Sequence, residues 1–141
     1  MSAGFVTARV DEIPTLSASP DEPDWKPLRH HLGVGAFGVN AWVAAAPGEL
    51  VIERHDETTS DGTAGHEELY VVLRGAARFT VGGEELDAPA GTLVFVSDPT
   101  LTRSAVATAP DTLVLTVGAA RGVAFTPSPW EQRSLEELGA A

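Results

Sequence analysis

From Phe37 to Gly118 the chain is written as short runs of apolar and β-branched residues, each cut off by a glycine, proline or aspartate turn. This constrains the fold more than any other feature, because runs so short must pair with one another to bury an apolar face. Phe37 to Ala45 and Glu49 to His55 read as strands on either side of Ala46-Pro47-Gly48. His66 to Arg74 and Ala76 to Val81 follow, hinged at Gly75. Gly82-Gly83 is a tight hairpin signal after the alternation of Ala77, Phe79 and Val81. Glu84 to Ala88, Thr92 to Ser97, Leu101 to Ala107 and Thr112 to Gly118 complete the set. Strands of this length and spacing close into a sandwich or small barrel, so an all-β fold of packed antiparallel sheets is expected over 37–118.

The two ends read differently. Residues 1–36 form an N-terminal arm, in which Phe5 to Val10 reads as a short strand and the proline- and acid-rich Ser17 to Pro27 as extended chain. Such an arm can lie across a second subunit, and pairing of copies would also hide a sheet edge, so a homodimer is expected. In the 119–141 extension, Ser128-Pro129-Trp130-Glu131 has the form of a capping box with proline at the first helical position. A short helix should follow, with Leu135 and Leu138 on one face, Trp130 as anchor and Gly139 at its close.

Composition removes several classes of function. The chain has 141 residues, enough for one domain with its own core, and no cysteine, which excludes disulfides, thiolate metal sites and cysteine nucleophiles. Its formal charge of −11, with Lys26 as the single lysine, repels a phosphate backbone, so no nucleic-acid partner is expected. No apolar run is long enough to span a membrane, and Met1-Ser2-Ala3-Gly4-Phe5 lacks the regions of a signal peptide, so a cytoplasmic location is the expectation. The preference for arginine over lysine, with much alanine and glycine, suggests a bacterial origin.

Chemistry concentrates at two doublets, His55-x-Glu57 and His66-x-Glu68, separated by eight residues. Side chains two apart on a strand share a face, so neighbouring antiparallel strands would bring imidazoles and carboxylates to one spot. His55, Glu57, His66 and Glu68 are therefore candidate ligands for one divalent ion (Zn, Mn, Fe or Ni), with positions left for water or substrate. The alternative without metal gives His66 and Glu68 the roles of general base and acid. A third reading leaves the four as mutually satisfied side chains with no active role. Tyr70 shares the face of Glu68, and Trp42 sits within an alternating strand; each is a candidate substrate contact with a core role as its alternative. Arg103 either clamps a substrate carboxylate or pairs with an acid at the surface. His30-His31 matches no ligand spacing and reads as an exposed pair, Gly33-x-Gly35 lacks a phosphate-loop continuation, and no Gly-x-Ser-x-Gly elbow exists.

Two segments carry a family resemblance. Glu68-Leu69-Tyr70-Val71-Val72-Leu73-Arg74-Gly75 resembles the end of the first cupin motif, a glutamate followed after six residues by a strand-closing glycine. Pro89-Ala90-Gly91-Thr92-Leu93-Val94-Phe95-Val96 resembles the opening of the second. The likeness covers about Phe37 to Gly118 and implies a jelly-roll, double-stranded β-helix barrel. Cupins place two histidines shortly before that glutamate, where this chain has Ser60 to Gly65. If that stretch is an insertion, His55 and Glu57 fall at those positions, with Glu57 in place of a histidine. The second motif's histidine belongs near Thr102, in Asp98-Pro99-Thr100-Leu101-Thr102-Arg103, and is missing, which leaves Thr102 and Arg103 as candidate substrate contacts. The resemblance thus implies a small-molecule cupin with a modified acidic metal or acid–base site at the barrel mouth, acting on a small oxygenated compound as oxygenase, isomerase or cyclase. Its alternative is a barrel that binds or senses a small ligand without catalysis.

Overall fold

The computed structural model describes residues 4–58 and 65–139. Nine strands form two antiparallel sheets among the described residues: β1 (Asp24–Lys26), β2 (Gly38–Ala44), β3 (Leu50–His55), β4 (Glu67–Arg74), β5 (Ala76–Val81), β6 (Glu84–Pro89), β7 (Leu93–Val96), β8 (Arg103–Ala107) and β9 (Thr112–Ala119). One sheet runs β1-β2-β9-β4-β7 and the other β3-β8-β5-β6. Their inner faces pack Val51, Ile52, Val72, Phe79, Ala105 and Val114 into a continuous core. Alternation brings Val72, Phe79, Ala105 and Val114 inward, whereas the consecutive Val51 and Ile52 are both buried where the β3 register shifts between Leu50 and Ile52.

Gly75 makes the corner between β4 and β5. Its φ is +73°, and a Cβ there would lie 2.3 Å from Thr112 Oγ1, so no side chain fits. Thr112 Oγ1 accepts from the Ala76 N–H at 3.3 Å and donates to the Ala109 carbonyl at 2.9 Å, which joins three strand ends.

The arm departs from expectation. Phe5 to Arg9 form no strand, and a 3-10 turn spans Val10–Glu12. Ser17 to Pro27 is not wholly irregular, because β1 pairs with β2 (Trp25 opposite Trp42) and Leu16 bridges to Trp25. Lys26 is buried and its Nζ donates to the Ile13 carbonyl at 2.7 Å. Ile13, Leu28, Val39, Ala41 and Leu113 form a second core on the outer face of the larger sheet. The arm therefore covers its own barrel and gives no reason to place it on another subunit. A short helix, α1 (Leu28–Leu32), escaped the sequence reading; it is closed by Gly33 at φ +76° and carries the exposed His30 and His31.

The C-terminal helix, α2 (Pro129–Glu137), starts where Ser128 and Pro129 place it, but the capping box does not form. Ser128 makes no side-chain cap bond, and Glu131, 3% exposed, turns to Arg29 Nε at 2.5 Å and Asn40 Nδ2 at 3.3 Å. A guanidinium offers the buried carboxylate more than a backbone N–H does. Leu135 is buried, whereas Leu138 and Trp130 are 40% and 39% exposed, so Leu135 and Glu131 fasten the helix. No helix among the described residues is long and apolar enough to cross a membrane.

Candidate functional site

The strand register decides which side chains meet. Across the larger sheet, Gly38, Gly118 and Glu68 form one row, and Asn40, Thr116 and Tyr70 the next. On the facing sheet His55 is opposite Arg103, which is opposite Val81. A register shift precedes His55: three steps along β3 from Ile52 match two along β8 from Ala105. The extra residue of this bulge restores His55 to the face of Ile52.

The doublets therefore meet across the barrel, not on neighbouring strands. His55 ends β3, Glu57 lies in the segment beyond it, and Glu68 opens β4 of the opposite sheet. His55 Nε2 is 2.9 Å from Glu57 Oε2 and 3.5 Å from Glu68 Oε1. His55 Nδ1 donates to the Glu53 carbonyl at 2.6 Å. His66, just before β4, stands 3.6 Å from Glu57 Oε1 through Nδ1, and its ring centroid is 5.8 Å from that of Phe125. Ser60 to Ala64 lie outside the described residues; Gly65 is described and buried. A Cβ on Gly65 would fall 1.6 Å from the Glu57 carbonyl oxygen and 2.9 Å from Pro99 Cβ. The Glu57 N–H also donates to the Pro99 carbonyl at 2.8 Å, so the segment bearing Glu57 is gripped from both sides.

Arg103 is the largest surprise. It is fully buried, correcting the expectation of a surface pair, and presents no atom to a substrate. Its Nη1 donates to Glu68 Oε1 at 2.8 Å, Nε to the Leu101 carbonyl at 2.9 Å and Nη2 to the Asp98 carbonyl at 3.2 Å. Tyr70, 1% exposed, donates its hydroxyl to the same Glu68 oxygen. Thr102 lies one residue outside β8, its carbonyl accepts from the Gly82 N–H at 2.9 Å, and it does not border the cleft. Sequence reading set the vacant histidine position near Thr102, yet the residue that faces inward is Arg103. Its shared parity with the buried Ala105 and Ala107 was the available signal.

Electrostatics follow from this packing. Burial alone would lower the His55 pKa, but hydrogen bonds to Glu57, Glu68 and the Glu53 carbonyl, with the charge of Glu68, outweigh it and push the value up to about 10. Burial would raise Glu68, but its bonds to His55 and Tyr70 and the charges of His55 and Arg103 hold it below the usual carboxylate range. Burial and the adjacent Glu68 charge push the Tyr70 phenol up. Two carboxylates, Glu57 and Glu68, thus face two cations, imidazolium and guanidinium, and the cluster balances itself.

The floor opens into a cleft of about 980 Å³. Trp25, Trp42, Phe125 and residues of α2, Trp130 among them, line it. Trp42 thus combines a place against the core with a place on the cleft, and its Nε1 donates to Thr116 Oγ1 at 3.2 Å. Trp25, Asn40, Phe125 and Glu131 went unread as site residues; that the chain has one asparagine and three tryptophans gave no clue that they would converge.

His55 Nε2 and one oxygen each from Glu57 and Glu68 lie within 4.8 Å of one another, a possible three-donor metal site that does not include His66. Number and donor type suit a divalent ion. Part of that set is already engaged: Arg103, which cannot lose its proton, holds Glu68 Oε1 at 2.8 Å, and ligation through Nε2 would require His55 to give up a proton.

No family model and no curated protein matches the sequence. Solved structures do. A predicted oxalate decarboxylase from Thermotoga maritima superposes with a TM-score of 0.65 at 21% identity, over 82% of this chain and 99% of the other. KdgF from Halomonas sp. gives 0.63 at 18% identity over 86% and 96%. A cupin protein from Bacteroides fragilis gives 0.56 at 19% identity over 83% and 92%.

Proposed function

From the premise of a small cupin-type barrel, we propose that this protein binds a small oxygenated organic compound in the cleft and moves a proton on it without a metal ion. The observation behind this reading is the pinning of Glu68 Oε1 by Arg103 at 2.8 Å, with Tyr70 on the same oxygen. The protein's own guanidinium gives Glu68 a fixed positive partner from behind. Glu68, Arg103 and Tyr70 are then a fixed support beneath the reacting groups.

The reacting groups are His55 and Glu57, which touch at 2.9 Å and both line the cleft. His55, held protonated at neutral pH, spends its Nδ1–H on the Glu53 carbonyl and its Nε2–H on Glu57, so it donates to a substrate oxygen that gains negative charge only when that oxygen takes the place of Glu57 at Nε2, which frees Glu57 Oε2 at the same time. Glu57 is the base, within reach of a C–H next to the carbonyl so polarised. The reaction class is proton transfer α to a carbonyl, and His66, beside Glu57, completes the polar rim. This assigns acid and base to His55 and Glu57 in preference to His66 and Glu68, because Glu68 Oε1 is occupied by its donors.

The test is exchange of the α C–H of glyceraldehyde and dihydroxyacetone in D2O, followed by proton NMR. Exchange faster than in buffer and lost in Glu57→Gln is expected. Exchange at the buffer rate, or undiminished in Glu57→Gln, removes the catalytic reading and leaves a barrel that only binds a ligand. Elemental analysis of untagged protein is expected to find metal well below one equivalent; a stoichiometric ion whose chelation lowers the melting temperature overturns the metal-free reading.

We also propose that the protein pairs as a homodimer through β7. This strand is a sheet edge, and its outward Leu93 and Phe95 are 65% and 60% exposed beside Leu73 at 45%. A two-fold contact at β7 would bury this apolar strip and extend the sheet.

A further inference from the structure

The C-terminal residues are joined to the barrel by a bare stretch of chain and by a few side chains. Between the end of β9 at Ala119 and the start of α2 at Pro129 there is no strand or helix. Among the described residues, Ala120 to Pro127 make no backbone–backbone hydrogen bond to the barrel. Arg121, Gly122, Val123 and Ala124 are exposed. Gly122 has φ +71°, and nothing lies within 4 Å of where its Cβ would stand. A backbone with so few partners can absorb a change of direction.

The apolar contacts beyond this stretch are thin. Leu135 is buried, but Trp130 and Leu138 keep 39% and 40% of their surface. Trp130 meets Trp25 edge-on with centroids 5.2 Å apart and Trp42 at 5.8 Å. Phe125 lies over Gly38, where a Cβ would come within 3.3 Å of its ring. An element with so little apolar burial opens more readily than the domain unfolds.

The polar contact is of another kind. Glu131, 3% exposed, accepts from Arg29 Nε at 2.5 Å and from Asn40 Nδ2 at 3.3 Å. Arg29 belongs to α1, and its Nη1 also donates to the Val34 carbonyl at 3.2 Å, so the guanidinium keeps an anchor when Glu131 leaves. A desolvated ion pair adds little net stability while it fixes one geometry. The docked state carries a further cost, because Asn40 Oδ1 is buried with no hydrogen-bond partner among the described residues. Withdrawal of Glu131 hydrates its carboxylate and the guanidinium, and it opens the Asn40 amide to water.

We propose that residues 123–139 are a hinged cover on the cleft, turning about Gly122 and latched shut by Glu131 on Arg29. Phe125, Trp130 and Glu131 all lie beyond the hinge and line the cleft, so they withdraw together and widen the way to His55 and Glu57. This opening goes beyond the proton-transfer reading and needs no substrate to be observed.

The chain has no cysteine, so Glu136→Cys on the exposed side of α2 and Glu85→Cys on β6 can carry two nitroxide labels. Double electron–electron resonance on the full chain reads the distance between them, and 15N chemical shifts report whether α2 stays helical. A main distance and a minor second one are expected. The second should grow about tenfold in Arg29→Met, the effect of losing one charge-assisted hydrogen bond, with the helical shifts kept. Acrylamide, a small neutral quencher, should quench the indoles more strongly in the same variant. Glu131→Ala removes the latch from the other side and keeps the test decisive if Arg29→Met does not fold. A distance distribution or a quenching constant that the folded latch variants leave unchanged overturns the proposal. So does a second distance that appears only with loss of the helical shifts, because α2 then melts in place of swinging. Each of these results leaves the proton-transfer reading to its own exchange test.

Discussion

Replacing Arg103 by methionine tests the internal charge balance most directly. Methionine fills the space of the arginine stem but leaves Glu68, 15% exposed at its side chain, without its guanidinium. Removing one partner of a buried ion pair costs about 3–5 kcal/mol, because the remaining charge stays desolvated. The Asp98 and Leu101 carbonyls, which lose Nη2 and Nε, lie in an exposed turn, so water replaces part of what they lose. A net loss of about 4 kcal/mol is expected from that range. For a domain of this size that corresponds to roughly 10–15 °C in melting temperature. The assay is urea unfolding at pH 7 of the parent, Arg103→Met, Glu68→Gln and the double variant. Because the amide introduced by Glu68→Gln carries no charge and still accepts from Tyr70, the double variant should be about 2 kcal/mol more stable than the sum of the single losses predicts. A loss below about 1 kcal/mol in Arg103→Met, or additivity within about 0.5 kcal/mol, would refute the claim that Arg103 neutralises Glu68.

Other predictions concern neighbouring features. Gly65→Ala forces a Cβ to within 1.6 Å of the Glu57 carbonyl oxygen, so the backbone must shift; a loss of about 2 kcal/mol or more and collapse of any Glu57-dependent exchange are expected from denaturation and NMR. His55 has its pKa raised in the folded state to about 10 from 6.5, so its contribution is complete below pH 6.5 and fades as pH rises toward 10. With 35% of its side chain exposed and the pair screened accordingly, that contribution is about 1–2 kcal/mol, and His55→Gln should flatten the alkaline limb of a stability–pH curve. Glu68, with its pKa lowered, acts in the opposite sense, its contribution being present above its ordinary pKa and lost as acid protonates it. Phe95→Glu places a charge on the open β7 edge and should leave a monomer by light scattering with an unchanged melting curve at low concentration; a parent that is already monomeric refutes the dimer.

Residues differ in how much of their role could be read along the chain. The strands from β2 to β9 were legible because alternation and turn chemistry are local: Ala77, Phe79 and Val81 point inward whatever they pair with, and Gly75 ends β4 because only glycine fits against Thr112. The two acidic doublets were legible as a concentration of chemistry for the same reason. The partners of each charge were not. A bulge between Ile52 and His55 turns His55 inward, and one step of parity separates the inward Arg103 from Thr102. Glu131 had the sequence of a capping residue and became instead the ion-pair partner of Arg29, 102 positions away. Local periodicity follows from backbone geometry and is present in any short stretch. Pairing between sheets depends on register and loop closure, which no stretch contains. The sequence alone therefore determined a two-sheet barrel and the place of its polar mouth. Only the tertiary structure decided that Glu68 is neutralised by a buried arginine, because that choice depends on which charges end up desolvated together.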